Sequence, residues 1–296
     1  MATIDLHIHS NYSNDGDYSP KELVAGCLQA GLTYAAIADH NTAGGVDVAQ
    51  DAAKGTGLEI IPAIELDCVF NGVNLHILGY GIDHTAAVFT RISYDLHQQE
   101  RDNSKRLIQA VRQLGIEFDD EMIAELAYDG VVTGEVIAEA ALAYDAKAEN
   151  PLLDLYRGEG ARSDNPYVNF YWDYCSQGKP AYTPLDFMNL DQAVDVIVSN
   201  HGVPVLAHPG INIKENSELL EAILARGVLG IEVFTSYHHP EQVRFYRDAV
   251  LSNDLLITCG SDFHGKTKKS IQLGSVRCGG QETRIIEALI SHIKGS

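Results

Sequence analysis

Apolar and polar positions along this chain fall into two alternating textures. Short runs that are apolar almost throughout, over residues 2–8, 34–38, 58–64, 203–207, 229–234 and 255–259, read as strands. They lack the every-second-residue alternation of a half-exposed strand, so both faces are expected to be buried. Segments with helical spacing follow them, over residues 20–29, 45–54, 190–200, 215–225, 240–251 and 282–293. Ser19 and Pro20 give the first of these an N-cap and a first-turn proline. Strand followed by helix, repeated along the chain, predicts an α/β fold with a parallel sheet. The number of units favours a closed or nearly closed barrel over an open sheet. Asn71-Gly72 between two further apolar runs in 66–80 predicts a hairpin.

Residues 85–189 break this texture. A long polar helix is expected over 91–114 and shorter ones over 119–128 and 134–143, and the stretch 150–184 is rich in Gly, Pro and aromatic residues with little periodicity. The block reads as a mainly helical insertion, leaving 1–84 and 190–296 as a catalytic barrel.

The polar residues that end the strands carry the chemistry. His7 and His9 share a strand face two residues apart, an arrangement suited to a transition metal. Asp39 and His40 follow the second strand, Glu65 the third, His208 a later one, and Asp262 and His264 the last, while His76 lies on the returning hairpin arm. In a β/α barrel, positions just past the strand C-termini converge on one mouth. Nitrogen and oxygen ligands without sulfur suit Zn²⁺, Mn²⁺ or Fe²⁺, and so many imply two or three ions, with Glu65 the expected bridging carboxylate. Glu232 closes a strand beside them.

The net charge of −20 disfavours binding to long nucleic acids. A small phosphorylated substrate stays compatible, because metal ions reverse the local potential. No apolar run is long enough to span a bilayer. The N-terminus reads as strand and motif rather than leader, and the five scattered cysteines form no Cys-x-x-Cys pair, so a reduced cytoplasmic setting is expected.

The motifs His7-Ile8-His9, Ser13-Asn14-Asp15-Gly16, Ala38-Asp39-His40-Asn41-Thr42, Ala63-Ile64-Glu65, Leu75-His76-Ile77-Leu78-Gly79-Tyr80, Ala207-His208-Pro209-Gly210, Gly230-Ile231-Glu232-Val233 and Gly260-Ser261-Asp262-Phe263-His264 resemble those of the PHP (polymerase and histidinol phosphatase) family of metal-dependent phosphoesterases. The resemblance implies a distorted seven-stranded β/α barrel with a trinuclear site. By motif, His7, His9, Glu65 and Asp262 would hold one ion, Glu65, His76 and His208 a second, and Asp15, His40 and His264 a third. Asn14 is an alternative to Asp15, because the turn has one residue more than in many relatives. Asp39 would fix the tautomer of a ligating histidine.

The resemblance is closer to stand-alone bacterial members acting on nucleotides, in which a helical insert covers the barrel mouth. Several of those carry Thr-Arg-Pro-His where this chain reads Thr133-Gly134-Glu135-Val136. Arg157 and Arg162 on a glycine-spaced loop are candidates to clamp the phosphate instead, and Lys266, with Lys268 and Lys269, follows His264 closely enough to face one. His238, after a strand and near Pro240, is a candidate proton donor to the leaving oxygen. Trp172, with Phe170, Tyr171 and Tyr174, either stacks a base or packs the insert. The expected activity is hydrolysis of a phosphomonoester on a nucleotide or another small phosphorylated metabolite. Diester cleavage or exonuclease action on short oligonucleotides is the alternative within phosphoryl chemistry, and amide or lactone hydrolysis lies outside it. The oligomeric state is not legible.

Overall fold

The computed structural model describes residues 3–295, so the expected strand start at Ala2 lies outside the described residues. Among the described residues nine strands run in chain order: β1 (Ile4–Ile8), β2 (Tyr34–Ile37), β3 (Glu59–Ile60), β4 (Ala63–Phe70), β5 (Val73–Tyr80), β6 (Met188–Asn189), β7 (Val203–Leu206), β8 (Gly230–Thr235) and β9 (Leu256–Gly260). The fold is mixed α/β, but the strands divide between two sheets, β1-β2-β3 and β6-β4-β5-β7-β8-β9. Pro62 interrupts the third expected strand, which becomes the two-residue β3 and the eight-residue β4. The sheet is also not wholly parallel, because β5 runs antiparallel to both β4 and β7. Asn71 and Gly72, with φ of 49° and 78°, make the tight β4–β5 turn.

The sheets meet at two seams near the strand C-termini. His9 N–H donates to Phe263 O at 2.9 Å and Asp262 N–H to His7 O at 2.8 Å; Glu65 N–H donates to Asp39 O at 3.1 Å and Asn41 N–H to Glu65 O at 2.7 Å. These backbone bonds bring the C-terminal ends of β1, β2 and β9 beside the first residues of β4.

Helices cover the outer faces as the sequence pattern requires. Pro20–Gln29 starts with a reciprocal Ser19–Glu22 cap, and Leu190–Ser199 buries Leu190, Ala193, Val194 and Ile197 on one stripe. The resulting core joins Leu6, Ile64, Leu78, Val205, Ile231 and Cys259. Residues 85–189 build a separate core from Val111, Ile116, Ile137, Leu153, Phe170 and Ala181. They contain the 27-residue helix Ala87–Gln113, helices Asp120–Leu126 and Gly134–Tyr144, and short irregular turns over the Gly- and Pro-rich stretch. All five cysteines are buried thiols. Among the described residues, no helix is long and apolar enough to cross a membrane.

Candidate metal centre

Glu65, fully buried, is the centre of the arrangement. Its Oε2 lies 3.1 Å from both His7 Nε2 and His9 Nε2 and 3.4 Å from His40 Nδ1. Its Oε1 lies 3.0 Å from both His76 Nδ1 and His208 Nε2. One carboxylate offers about four lone-pair positions, fewer than the imidazoles that face it. Asp262 adds a second carboxylate, with Oδ1 at 3.4 Å from His7 Nε2 and 3.1 Å from His9 Nε2. Asp15 Oδ2 stands 3.1 Å from His264 Nε2 and 3.9 Å from His40 Nε2.

The outer nitrogens explain why this set fits cations. His7 Nδ1–H donates to Glu232 Oε1 at 3.0 Å, and His9 Nδ1–H to Ser13 Oγ at 3.1 Å. In those neutral tautomers both Nε2 atoms carry lone pairs, yet they lie 3.0 Å apart and face two carboxylates. His264 Nδ1–H donates to Asp262 O at 3.0 Å, so its Nε2 also presents a lone pair, and this atom is buried without a hydrogen-bond partner. Asp15 Oδ1, Asp67 Oδ1 and Asp262 Oδ1 are buried and unpartnered as well. Lone pairs converging on one another without donors are stable only with positive charge between them. The chemistry of the donor set therefore fits divalent ions with a preference for nitrogen and oxygen.

Ionisation follows the same logic. Burial pushes His9 down to about 4, helped by His264 and His40, which leaves it neutral and able to ligate. Burial also opposes charge on Glu65, but His7, His40 and His76 outweigh it and hold the carboxyl well below its usual range. His7 is raised well above its ordinary value against its burial by Glu65, Glu232 and Asp262, a measure of how much positive charge the pocket demands.

The strand-end residues expected to converge do so, in groups His7–His9–Glu65–Asp262, Glu65–His76–His208 and His9–Asp15–His40–His264. Both Asn14 and Asp15 line the cavity, but Asp15 is the one that meets the imidazoles; Asn14 Nδ2 donates to Glu100 Oε2 at 2.5 Å. The turn that presents Asp15 requires Gly16, because a Cβ there would lie 2.0 Å from Ser10 O. Gly260 lets β9 approach β1, since its Cβ would meet that of His7 at 2.2 Å.

Other expected residues are placed differently. Asp39 touches no imidazole. It accepts from Ser10 N–H at 2.6 Å, Ser10 Oγ–H at 2.7 Å and Ser13 Oγ–H at 3.1 Å, and so reaches His9 only through the Ser13 hydroxyl. Burial pushes its carboxyl up to about 6 against those bonds. The carboxylate that directly orients a histidine is Glu232, whose other oxygen accepts His208 N–H at 2.9 Å. His238 has no nitrogen left for a leaving group: Nδ1–H donates to Val233 O at 3.0 Å and Nε2 accepts Gly210 N–H at 2.9 Å. Arg157 donates to Asp145 O and Oδ2 at 2.7 and 2.9 Å, and Arg162 grips Asp173 at 2.9 and 3.0 Å, so both brace the insert and neither lines the cavity. Lys266 pairs with Glu139 at 3.0 Å outside the cavity.

Asp67 was not among the expected residues. Its Oδ1 is 3.3 Å from both His40 Nδ1 and His76 Nε2. It lies two positions beyond Glu65 on β4 and so shares its face. The i, i+2 rule that selects His7 and His9 also selects Glu65 and Asp67 once the strand is known to continue past Glu65.

Above the centre lies a cavity of about 580 Å³, with Asp15, His40, Asp67, His76, His208 and Asp262 among its lining residues on the metal-centre side. Residues 85–189 supply further walls, including Glu100, Glu135, Tyr171 and Trp172. The aromatic cluster thus divides: Phe170 and Tyr174 pack against each other and against Tyr156 with tilted or edge-on rings, whereas Tyr171 and Trp172 line the cavity.

The sequence pattern of the PHP domain matches residues 5–154. A 3',5'-nucleoside bisphosphate phosphatase of Chromobacterium violaceum is 28% identical over 272 residues, 89% of this chain and 88% of that protein. A 5'-3' exoribonuclease of Haemophilus influenzae is 29% identical over 266 residues, covering 88% of this chain and 89% of the relative. Among solved structures, an amidohydrolase of Chromobacterium violaceum superposes with a TM-score of 0.81 at 23% identity, covering 98% of this chain and 97% of its own, a likeness of fold. A protein of Bifidobacterium adolescentis assigned as a metal-dependent phosphoesterase gives a TM-score of 0.77 at 25% identity, covering 98% and 96%.

Proposed function

The chain belongs to the PHP-domain family of phosphoester-hydrolysing enzymes, and from that premise we propose that it removes a phosphoryl group from a nucleotide or another small phosphorylated metabolite. The observation that carries this reading is the set of buried, donor-poor imidazoles and carboxylates around Glu65, opening on a cavity sized for a small molecule. His7, His9, Glu65 and Asp262 would hold one divalent ion, Glu65, His76 and His208 a second, and Asp15, His40 and His264 a third, with His9 beside the third group. Mn²⁺, Fe²⁺ and Zn²⁺ suit these ligands, and the folded chain is read as a distorted barrel with residues 85–189 as its cap. Such ions, when bound, make water nucleophilic at neutral pH and neutralise the oxygens of the phosphoryl group.

The chain's own residues do the rest. Glu232 holds the His7 ring and the His208 backbone in place, Ser13 relays Asp39 to His9, and Glu65 ties the groups together. The insert walls exclude bulk water and face the leaving group with Tyr171 and Trp172, which suits a nucleoside. A second reading, stepwise cleavage from the end of a short RNA, has the support of the Haemophilus influenzae relative. Phosphate release is to be measured with added Mn²⁺, before and after chelation, on nucleoside bisphosphates, nucleoside monophosphates and sugar phosphates, beside a labelled short RNA. Chelator-sensitive release from a small monoester is expected. Release from none of them overturns the phosphatase reading, and mononucleotide release from the RNA alone selects the second.

A further inference from the structure

Three lysines follow His264, and the turn Gly265–Lys268 sends them to different places. Lys266 goes out to Glu139, and Lys269 lies 4.9 Å over the Tyr167 ring. Lys268 goes in: it is 6% exposed and lines the cavity above the metal centre. Its Nζ donates to Asp262 Oδ2 at 2.6 Å and sits 5.4 Å over the ring of Tyr237. The Tyr237 hydroxyl donates to the same carboxylate oxygen at 2.5 Å. Asp262 Oδ1 is thereby turned the other way, towards His7 and His9, with no donor of its own.

An ammonium buried beside a pocket for divalent cations is electrostatically costly, and one carboxylate shared with those cations does not offset it. The arrangement becomes favourable when an anion enters the cavity. An ammonium has three donors, and Asp262 takes one of them. Resting on the phosphoester reading above, we propose that Lys268 is a substrate-contacting residue whose ammonium binds a non-bridging oxygen of the phosphoryl group, with Tyr237 holding Lys268 and Asp262 in register. Lys268 forms no bond to phosphorus and transfers no proton; it neutralises charge on the oxygens during displacement.

The test compares the metal-loaded wild type with Lys268→Met, which keeps an unbranched side chain without the charge, and with Lys268→Gln should the first variant fail to fold. Bound metal per chain, affinity for inorganic phosphate from protection against thermal unfolding, and kcat and KM on the best monoester are measured on the same preparations. The expected result is an unchanged metal count, phosphate affinity about 10-fold weaker, and kcat/KM lower by about 100-fold. Phosphate affinity within twofold of wild type overturns the proposal. Loss of metal in parallel with phosphate affinity also overturns it, because Lys268 would then only hold Asp262. A wild type that binds metal and phosphate but cleaves no ester refutes the phosphatase reading separately, while the phosphate comparison still decides the role of Lys268.

Discussion

Replacing Glu232 with Gln tests whether the pocket depends on the carboxylate behind it. Glu232 is fully buried and accepts two donors at once, His7 Nδ1–H at 3.0 Å and His208 N–H at 2.9 Å. A glutamine amide can accept one of them, but its NH₂ must then face the other. One buried donor loses a charge-assisted bond and meets a second donor instead, costing about 1–3 kcal/mol. The His7 ring is the mobile partner of the two, so the loss falls on its Nε2 and on the ion it would hold. Loss of such an orienting partner weakens metal binding by about 10–100-fold, and at about 1.4 kcal/mol per tenfold this matches the hydrogen-bond cost. The assay is calorimetric Mn²⁺ titration of chelator-stripped wild type and Glu232→Gln, with circular dichroism to show that both are folded. A folded variant that binds every Mn²⁺ ion within twofold of wild type refutes the reasoning.

Chelation is expected to lower the melting temperature as well as abolish turnover, because Glu65, Asp262 and Asp15 lose their counter-charge; calorimetry before and after Mn²⁺ is restored checks both. Glu135, pushed up to about 7 by burial and by Asp15, binds more protons folded than unfolded between its ordinary value and 7. Stability of the metal-free protein should therefore fall as pH rises through that window. Glu135→Gln should remove up to roughly 3 kcal/mol of the fall, read by urea unfolding at pH 4.5 and 8; parallel profiles would contradict this. Arg162→Ala should cost the insert about 1 kcal/mol or less, since its pair with Asp173 is one-third exposed, and should change KM by less than twofold. A larger KM effect in saturation kinetics would return Arg162 to the substrate.

The candidate metal centre was legible because most of its residues obey rules local to a strand. His7 and His9 stand two residues apart on one face, and His208 and Asp262 follow directly after buried strands. Asp67 escaped because Glu65 was read as the end of a strand that continues through the hairpin to Phe70. The arginines were misplaced for a different reason. Their partners, Asp145 and Asp173, stand 12 and 11 residues away, and only the folded insert brings them into range. Which of Lys266 and Lys268 turns inward depends on a single turn of helix. His238 follows its strand as a proton donor would, but the backbone of Val233 and Gly210 takes both nitrogens. The division into two sheets falls at Pro62, between β3 and β4, and β5 runs antiparallel within the larger sheet; hydropathy records neither feature.

Whether Glu65 joins the proposed ion pockets is read from metal content per chain in wild type and Glu65→Gln. That role of Glu65 predicts two or three tightly held ions in the gently purified wild type, and fewer than one in a folded Glu65→Gln. An unchanged count in the variant, or a wild type that holds no ion at any Mn²⁺, Fe²⁺ or Zn²⁺ concentration, would contradict it.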